Sequence, residues 1–391
     1  MLFLIFFVIL QKNSIADMRI LYVTDALAVW GGIERVLSVK LNYLIREYGY
    51  KVYVITSDQG EHPIPFPLDE RIIVKDLHIR FHQQYRFRGI KRWMKSWELQ
   101  KQYRKGLKSF IEEIKPDVIS CIRDGCASAV LDLNTSIPVI FESHAMYKDV
   151  EFENSTILHQ LSIYMDRRKF KRLDKIVTLT QGDAEDWKRV CNNVCVIPNV
   201  VHLNESGRYS LCTEKRAIFA GRFDFQKNFG AMIEVWTLVQ KRHPDWVLDV
   251  YGNGELKPHY EKVVSERNLN INIHPAVSDV FDRYLNSSML LMTSLYEPFG
   301  LVLAEAMSCG LPVVAFDCPY GPADIIKNGI DGFLVENRNI GVFANRICLL
   351  IEDEQLRKKM GKAGVQSAQR YKAENIMPLW NCFFSEFPQT K

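Results

Sequence analysis

The chain has 391 residues, 47% hydrophobic and 25% charged, with a formal net charge of +4. That length exceeds a typical single core and points to two domains of roughly 150–200 residues each. The balance excludes a disordered or low-complexity chain, and the charge is too mild to argue by itself for nucleic acid.

The opening stretch MLFLIFFVIL is apolar but short of the ~20 residues that span a bilayer. Three readings stay open for it: an extension outside the working chain, a membrane anchor, or a signal cleaved near Ser14-Ile15-Ala16 without a basic leader. MRILYVTD, from Met18, is a self-sufficient first strand, which sets residues 1–17 apart as an N-terminal apolar extension.

After RILYVTD come Gly31-Gly32 and then IERVLSVKLNYLIREYGY, apolar at helical spacing. Glycines at a strand-to-helix loop let backbone amides approach a phosphate, but an isolated pair serves a plain turn equally well. KVYVITSD and RIIVKDL read as the next strands. A basic segment follows, with Arg80, Arg86, Arg88, Lys91, Arg92, Lys95, Lys101, Arg104, Lys105 and Lys108 interleaved with Tyr85, Phe87, Trp93, Trp97 and Tyr103. Glu98 is its one acid. Such a helix either presents a solvated face or lies on anionic lipid headgroups. No recognition motif accompanies the charge, so nucleic acid is not expected as a partner.

DVISCI, PVIFES, KIVTLT and VCVIPN complete the first half, and Arg167, Arg168, Lys169, Lys171 and Arg172 form a second basic cluster. Near Pro198 to Lys215 the sequence turns polar, and a second series begins: RAIFAGR, WVLDVYG, INIHPAV, MLLMTS, LPVVAF and GFLVE. Short β-branched runs separated by helices predict an α/β fold, two doubly wound parallel sheets in tandem. Ligands of such sheets bind outside the carboxyl ends of the strands.

Two loops of the second half carry chemistry. AGRFDFQKN follows a strand and places Arg222 and Lys227 before a helix, where cations oppose the macrodipole. They are either solvated surface charges or the two cations of an anion site. Further on, Tyr296-Glu297-Pro298-Phe299-Gly300 turns the chain into LVLAEAMSCG. Glu297 is either a cap of this helix or a ligand-facing carboxylate. Glu305, between Ala304 and Ala306, is either an exposed helix residue or a buried acceptor suited to sugar hydroxyls.

The nine cysteines show no zinc spacing and read as reduced, mostly buried thiols. Asp183, Glu185 and Asp186 lie on a helix and form no Asp-x-Asp site, so no metal is expected.

The order Gly-Gly loop, Gly-Arg…Lys, then two glutamates separated by seven residues in EPFGLVLAEAMSCGLPVV resembles the family 4 retaining glycosyltransferases. The resemblance runs from Met18 to about Phe387. It implies the GT-B architecture, two Rossmann-like domains facing across a cleft that holds a nucleotide-sugar. Residues 18–200 would be the acceptor-side domain, completed by a crossover helix at about 372–387, and 201–371 the donor-binding domain. Arg222 and Lys227 would neutralise the donor diphosphate. Glu305 would bind ribose hydroxyls, and Glu297 would face the donor sugar. The amides of Phe299, Gly300 and Leu301 would hold sugar or phosphate oxygens, with Gly31 and Gly32 against the diphosphate. His144, in FESHAM, would lie near the sugar, although a lone histidine there is also a ready structural residue. Asn199 would line the cleft, or serve as a turn residue after Pro198.

FDCPYGPADIIKNGIDGFLVE resembles a variant found among bacterial enzymes that build surface glycans, which favours a UDP-sugar over a GDP-sugar. The expectation is therefore a metal-independent, cofactor-free retaining glycosyltransferase. It would be cytoplasmic, peripheral on the inner face of the membrane, and would act on a lipid-linked or growing surface glycan. A nucleotide-sugar epimerase, a phosphorylase and a non-catalytic nucleotide-sugar-binding scaffold are the alternatives.

Overall fold

The computed structural model describes residues 17–147, 165 and 167–389. The apolar extension, apart from Asp17, lies outside these residues. The described residues divide into two compact units: one runs to Leu179 and takes in Asp183–Val200 and the residues from Ile376, the other comprises Thr180–Gly182 and Val201–Asn375.

The first unit holds a seven-stranded sheet, all parallel, in the order β3-β2-β1-β4-β5-β6-β7. Its elements in chain order are β1 (Arg19–Thr24), α1 (Gly32–Tyr48), β2 (Lys51–Thr56), β3 (Ile73–Asp76), α2 (Gly89–Ile114), β4 (Val118–Cys121), α3 (Asp124–Leu131), β5 (Val139–Glu142), β6 (Lys175–Thr178), α4 (Gln181–Trp187, shared with the other unit) and β7 (Val194–Val196). β1 lies at the centre, pairing Ile20 with Val52 on one side and with Val118 on the other. Its residues Ile20 to Val23 are all buried, because helices cover both faces of a parallel sheet. One face packs Leu21, Val23, Ile55 and Ile119 against Leu99, Tyr103, Leu107 and Phe110 of α2.

The second unit repeats the plan with six parallel strands, in the order β10-β9-β8-β11-β12-β13. Its elements are β8 (Arg216–Ala220), α5 (Phe229–Arg242), β9 (Val247–Tyr251), α6 (Lys257–Glu266), β10 (Ile271–His274), α7 (Phe281–Leu285), β11 (Met289–Met292), α8 (Leu301–Ser308), β12 (Val313–Asp317), α9 (Gly321–Ile325), β13 (Gly332–Glu336), α10 (Ile340–Glu352) and α11 (Glu354–Ala368). Phe219, Val250, Leu291 and Phe316 of the strands meet Trp236 of α5 and Phe343 of α10 in its core. Each such side chain contributes roughly 1.5–3 kcal/mol on burial.

A last helix, α12 (Ala373–Ser385), joins the first unit from Ile376 onward. There the Tyr50 hydroxyl donates to Asn381 Oδ1 at 2.7 Å and Phe384 meets the Tyr50 ring edge-on at 6.2 Å.

The strand orders fix where a ligand can approach. In each sheet the chain builds outward from the central strand, then returns to its other side. The switch falls between β1 and β4 in the first unit and between β8 and β11 in the second. Loops leaving the carboxyl ends of those strands diverge and leave a crevice.

Candidate active site

In the second unit, the two loops flanking the switch are those after β8 and β11. The first carries Arg222 and Lys227, the second Glu297. Sequence separates these loops by some seventy residues, with Lys227 and Glu297 at |i−j| of 70, and the sheet makes them neighbours. Hydrogen bonds stitch them together. Leu295 N–H donates to the Gln226 carbonyl at 2.8 Å, and Gln226 Nε2 donates to the Tyr296 carbonyl at 3.2 Å. Thr293 Oγ1 donates to the Asn228 carbonyl at 3.2 Å.

Lys227 and Glu297 form an ion pair, Nζ to Oε2 at 2.5 Å, with side chains only 13% and 10% exposed. Ser294 Oγ adds a second donor to the same oxygen at 3.2 Å. The Glu297 backbone is held on both sides. Its N–H donates to Pro319 O at 2.6 Å, and its carbonyl accepts from Tyr320 and Gly321 at 3.0 and 2.9 Å. Gly321 is required by this crossing, since a Cβ there would lie 1.8 Å from Phe299 O. Glu297 does not cap the following helix. The N-cap of α8 is Gly300, in the left-handed region at φ +98, and no side chain caps it.

Arg222 stands further out, with a side chain 71% exposed. Its Nε meets Asp224 Oδ2 at 3.0 Å, and its Nη2 donates to Gln226 Oε1 at 3.3 Å. Asp224 also accepts from Lys227 N–H through Oδ1 at 2.9 Å, just ahead of Asn228, the N-cap of α5. The macrodipole conflict read from the sequence is thus met locally by Asp224 and Glu297.

Leu301 begins α8 and Phe299, 3% exposed, packs edge-on against Tyr371 at 5.2 Å. Glu305 is 4% exposed between Ala304 and Ala306, both fully buried. The reading of Glu305 as an exposed helix residue is therefore excluded. A carboxylate so enclosed needs polar company.

Four expected residues stand on the first unit. Gly31 is the N-cap of α1 and Gly32 its first residue, in the loop after the central strand. A Cβ on Gly31 would lie 2.4 Å from Glu34 Oε2, the far end of a flexible side chain that can turn aside, and its extended backbone at φ −120 suits any residue. Asn199 follows β7 and is 8% exposed. His144, 8% exposed, sits two residues past β5, its Nε2 3.3 Å from Glu142 Oε2. Glu142 also pairs with Lys40 of α1 and accepts from Ser120 Oγ at 2.7 Å. Burial raises the Glu142 pKa, but Lys40 and His144 outweigh it and hold the carboxyl down at about 2. Burial lowers the His144 pKa, against the pull of Glu142.

Sequence reading missed Asp224, Gln226 and Ser294, though all three lie inside the quoted motifs and their polarity beside the cations was a usable signal. It also missed Lys40 and Glu142, 102 residues apart, where no local signal exists. Among the described residues no group of three or more His, Cys, Asp or Glu side chains is placed to hold a metal ion. All nine cysteines are free, and seven are buried.

Comparison with known proteins agrees with this fold. The family described as Glycosyltransferase Family 4 matches residues 30–205, and that described as Glycosyl transferases group 1 matches residues 210–367. The chain is 28% identical over 374 residues to the amylovoran biosynthesis glycosyltransferase AmsD of Erwinia amylovora, covering 93% of this chain and 98% of that protein. It is 23% identical over 359 residues to the GalNAc-alpha-(1->4)-GalNAc-alpha-(1->3)-diNAcBac-PP-undecaprenol alpha-1,4-N-acetyl-D-galactosaminyltransferase of Campylobacter jejuni, covering 90% and 94%. The crystal structure of a variant of TarM from S. aureus, in complex with Fondaparinux, alpha-GlcNAc-glycerol and UDP, superposes with a TM-score of 0.75 at 17% identity, covering 94% of this chain and 99% of that one. The chain is a glycosyltransferase that joins a Glycosyltransferase Family 4 domain to a Glycosyl transferases group 1 domain, and it has the GT-B fold.

Proposed function

We propose that this glycosyltransferase is a retaining hexosyltransferase that moves a sugar from a UDP-sugar to a lipid-linked or growing surface glycan without a metal ion. The observation that carries the reading is the meeting of Lys227 and Glu297 at the switch point of the second sheet, with Arg222 on the same loop. Breaking the anomeric C–O bond leaves charge on a nucleoside diphosphate. Fixed cations beside the amide-rich start of a helix stabilise that charge without reorganising. Lys227 and Arg222 are suited to the diphosphate, Glu305 to ribose hydroxyls and Glu297 to the donor sugar. The amides of Phe299, Gly300 and Leu301 supply further donors. Among the relatives, one is named for amylovoran biosynthesis and one for an undecaprenol-linked glycan, and the TarM variant was crystallised with UDP.

The acceptor reading draws on α2. Its first ten residues contain no buried side chain, and Ile90, Trp93, Met94 and Trp97 are all exposed among lysines and arginines. This face suits the headgroup region of an anionic membrane, on the cytoplasmic side where nucleotide-sugars are held. Among the described residues no helix is long and apolar enough to cross a membrane.

The test is a thermal-shift screen against UDP, GDP, ADP and UDP-sugars, with and without EDTA, followed by NMR assignment of the product anomer. A ligand that binds only the folded state raises Tm. Stabilisation by uridine nucleotides unaffected by EDTA, with retention at the anomeric carbon, is the expected result. An inverted product overturns the retaining assignment. UDP-sugar turnover without an acceptor would mark an epimerase, dependence on free phosphate a phosphorylase, and donor binding without any turnover a scaffold.

A further inference from the structure

Lys40 is 1% exposed and Glu142 2% exposed, and neither belongs to the reaction as proposed above. Burying two opposite charges costs several kcal/mol per ion, and apolar residues of similar volume usually serve stability as well or better. The pair therefore calls for a reason other than stability. Lys40 enters from α1 with its ammonium 4.1 Å from the ring centre of Trp380 and 5.0 Å from that of Tyr22. It meets Glu142 Oε2. Ser120 Oγ occupies Oε1 at 2.7 Å. The remaining partner of Oε2 is His144 Nε2, at 3.3 Å. Among the described residues Glu142 is the one side-chain partner of His144, and none of them bonds Nδ1.

An ionised carboxylate only accepts. Lys40 and Ser120 both donate to Glu142, so the Nε2 that faces it must carry a hydrogen. In the neutral ring Nδ1 then holds a lone pair. The charged groups acting on His144 are Glu142 from β5, Lys40 from α1 and Arg123 from the loop after β4. The two cations and burial favour the neutral ring, and Glu142 opposes them.

We propose that the buried Lys40–Glu142 pair is a positioning device for His144: Glu142 fixes the imidazole with hydrogen on Nε2 and Nδ1 as the acceptor for a hydroxyl of the transferred sugar, and Lys40 keeps Glu142 ionised. The sugar contact rests on the reading of His144 given above; the fixed tautomer does not. Glu142 and Lys40 act through the histidine and are positioning residues rather than catalytic ones.

Two measurements on the full chain test this. The first is the 1H–15N spectrum of the imidazole groups, with His144 assigned by its loss in His144→Gln. The wild-type protein should show a slowly exchanging, downfield Nε2–H for His144, and the double substitution Lys40→Met with Glu142→Leu, which removes both charges, should abolish it. A wild-type ring protonated on Nδ1, or freely exchanging, overturns the proposal whatever the activity. The second is a double-mutant cycle in glycosyl transfer. His144→Ala and the Lys40/Glu142 double variant should each lower kcat by about 10–100-fold. Together they should lose no more than His144→Ala alone, because both act through one ring. Additive losses overturn the positioning role. A fixed Nε2–H in a protein whose transfer is indifferent to His144→Ala upholds the device and removes the sugar contact.

Discussion

Lys227 shows what a single residue must do in this site. With its side chain 13% exposed and its charge met by Glu297 at 2.5 Å, it is held in place by the protein itself. Lys227→Ala should lower kcat by about 10²–10³-fold, as removal of one preorganised donor does elsewhere, while leaving far-UV circular dichroism unchanged. Retained activity in a steady-state assay would remove Lys227 from the diphosphate role. Glu305 belongs to a different class. It lies between two alanines in an apolar helix at 4% exposure, and alanine is the best helix former. Glu305→Ala should keep the fold and raise the donor KM by about 10–100-fold, the equivalent of losing hydrogen bonds to a charged group. A fall in kcat with KM unchanged would instead place Glu305 at the transition state.

At the scale of elements, α2 divides in two. Its second half is anchored through Leu99, Tyr103, Leu107, Phe110 and Ile111, at helical spacing. Its first half presents Trp93 and Trp97, with Lys101 5.5 Å from the Trp97 ring and Arg92 4.6 Å from the Tyr85 ring. The second basic cluster is not comparable. Lys169 pairs with Asp132 at 3.0 Å, Arg167 donates to Tyr147 O at 2.6 Å and Arg172 to Leu131 O at 2.8 Å, so these three serve the first unit internally. Co-sedimentation with anionic vesicles should therefore be lost in Trp93→Ser/Trp97→Ser without loss of thermal stability, because both side chains are exposed. Binding to neutral vesicles of equal strength would contradict the basic component. The closing helix α12 is the opposite case. Trp380 is 4% exposed, stacked on Phe384 at 5.5 Å and set over Lys40. Trp380→Ala should destabilise the first unit by about 3–5 kcal/mol, read as an early calorimetric transition. A single unshifted transition would show that α12 adds nothing to that unit.

For the whole molecule, the two sheets share one plan, and pH dependence follows from groups that the plan buries. Asp183 anchors the loop that bears His144, accepting from Tyr147 N–H at 2.7 Å and Ser143 Oγ at 3.1 Å. Burial raises its pKa from 3.8 to about 6, against those hydrogen bonds. The folded state then binds more protons than the unfolded one between those values, so stability falls as pH rises through that window, by up to about 3 kcal/mol. Asp183→Asn should flatten this limb in a pH series of Tm, and an unchanged slope would refute the assignment. Glu142 acts in the other direction. Its depressed pKa contributes stability above the usual carboxylate range that is lost as pH falls toward 2.

Much of this protein was legible in one dimension. RILYVTD and RAIFAGR announced the central strands because a strand buried on both faces must be apolar throughout. Arg222, Lys227, Glu297 and Glu305 stood out through their order along the chain, two cations in one strand-to-helix loop followed by two glutamates separated by seven residues. The pairing of Lys227 with Glu297, the cap at Gly300 and the closure of Lys40, Ser120 and His144 around Glu142 were decided by the fold alone. Periodicity is a local property, set by neighbours three or four residues apart. Contact between residues 70 or 102 positions apart depends on strand order, which no local pattern encodes.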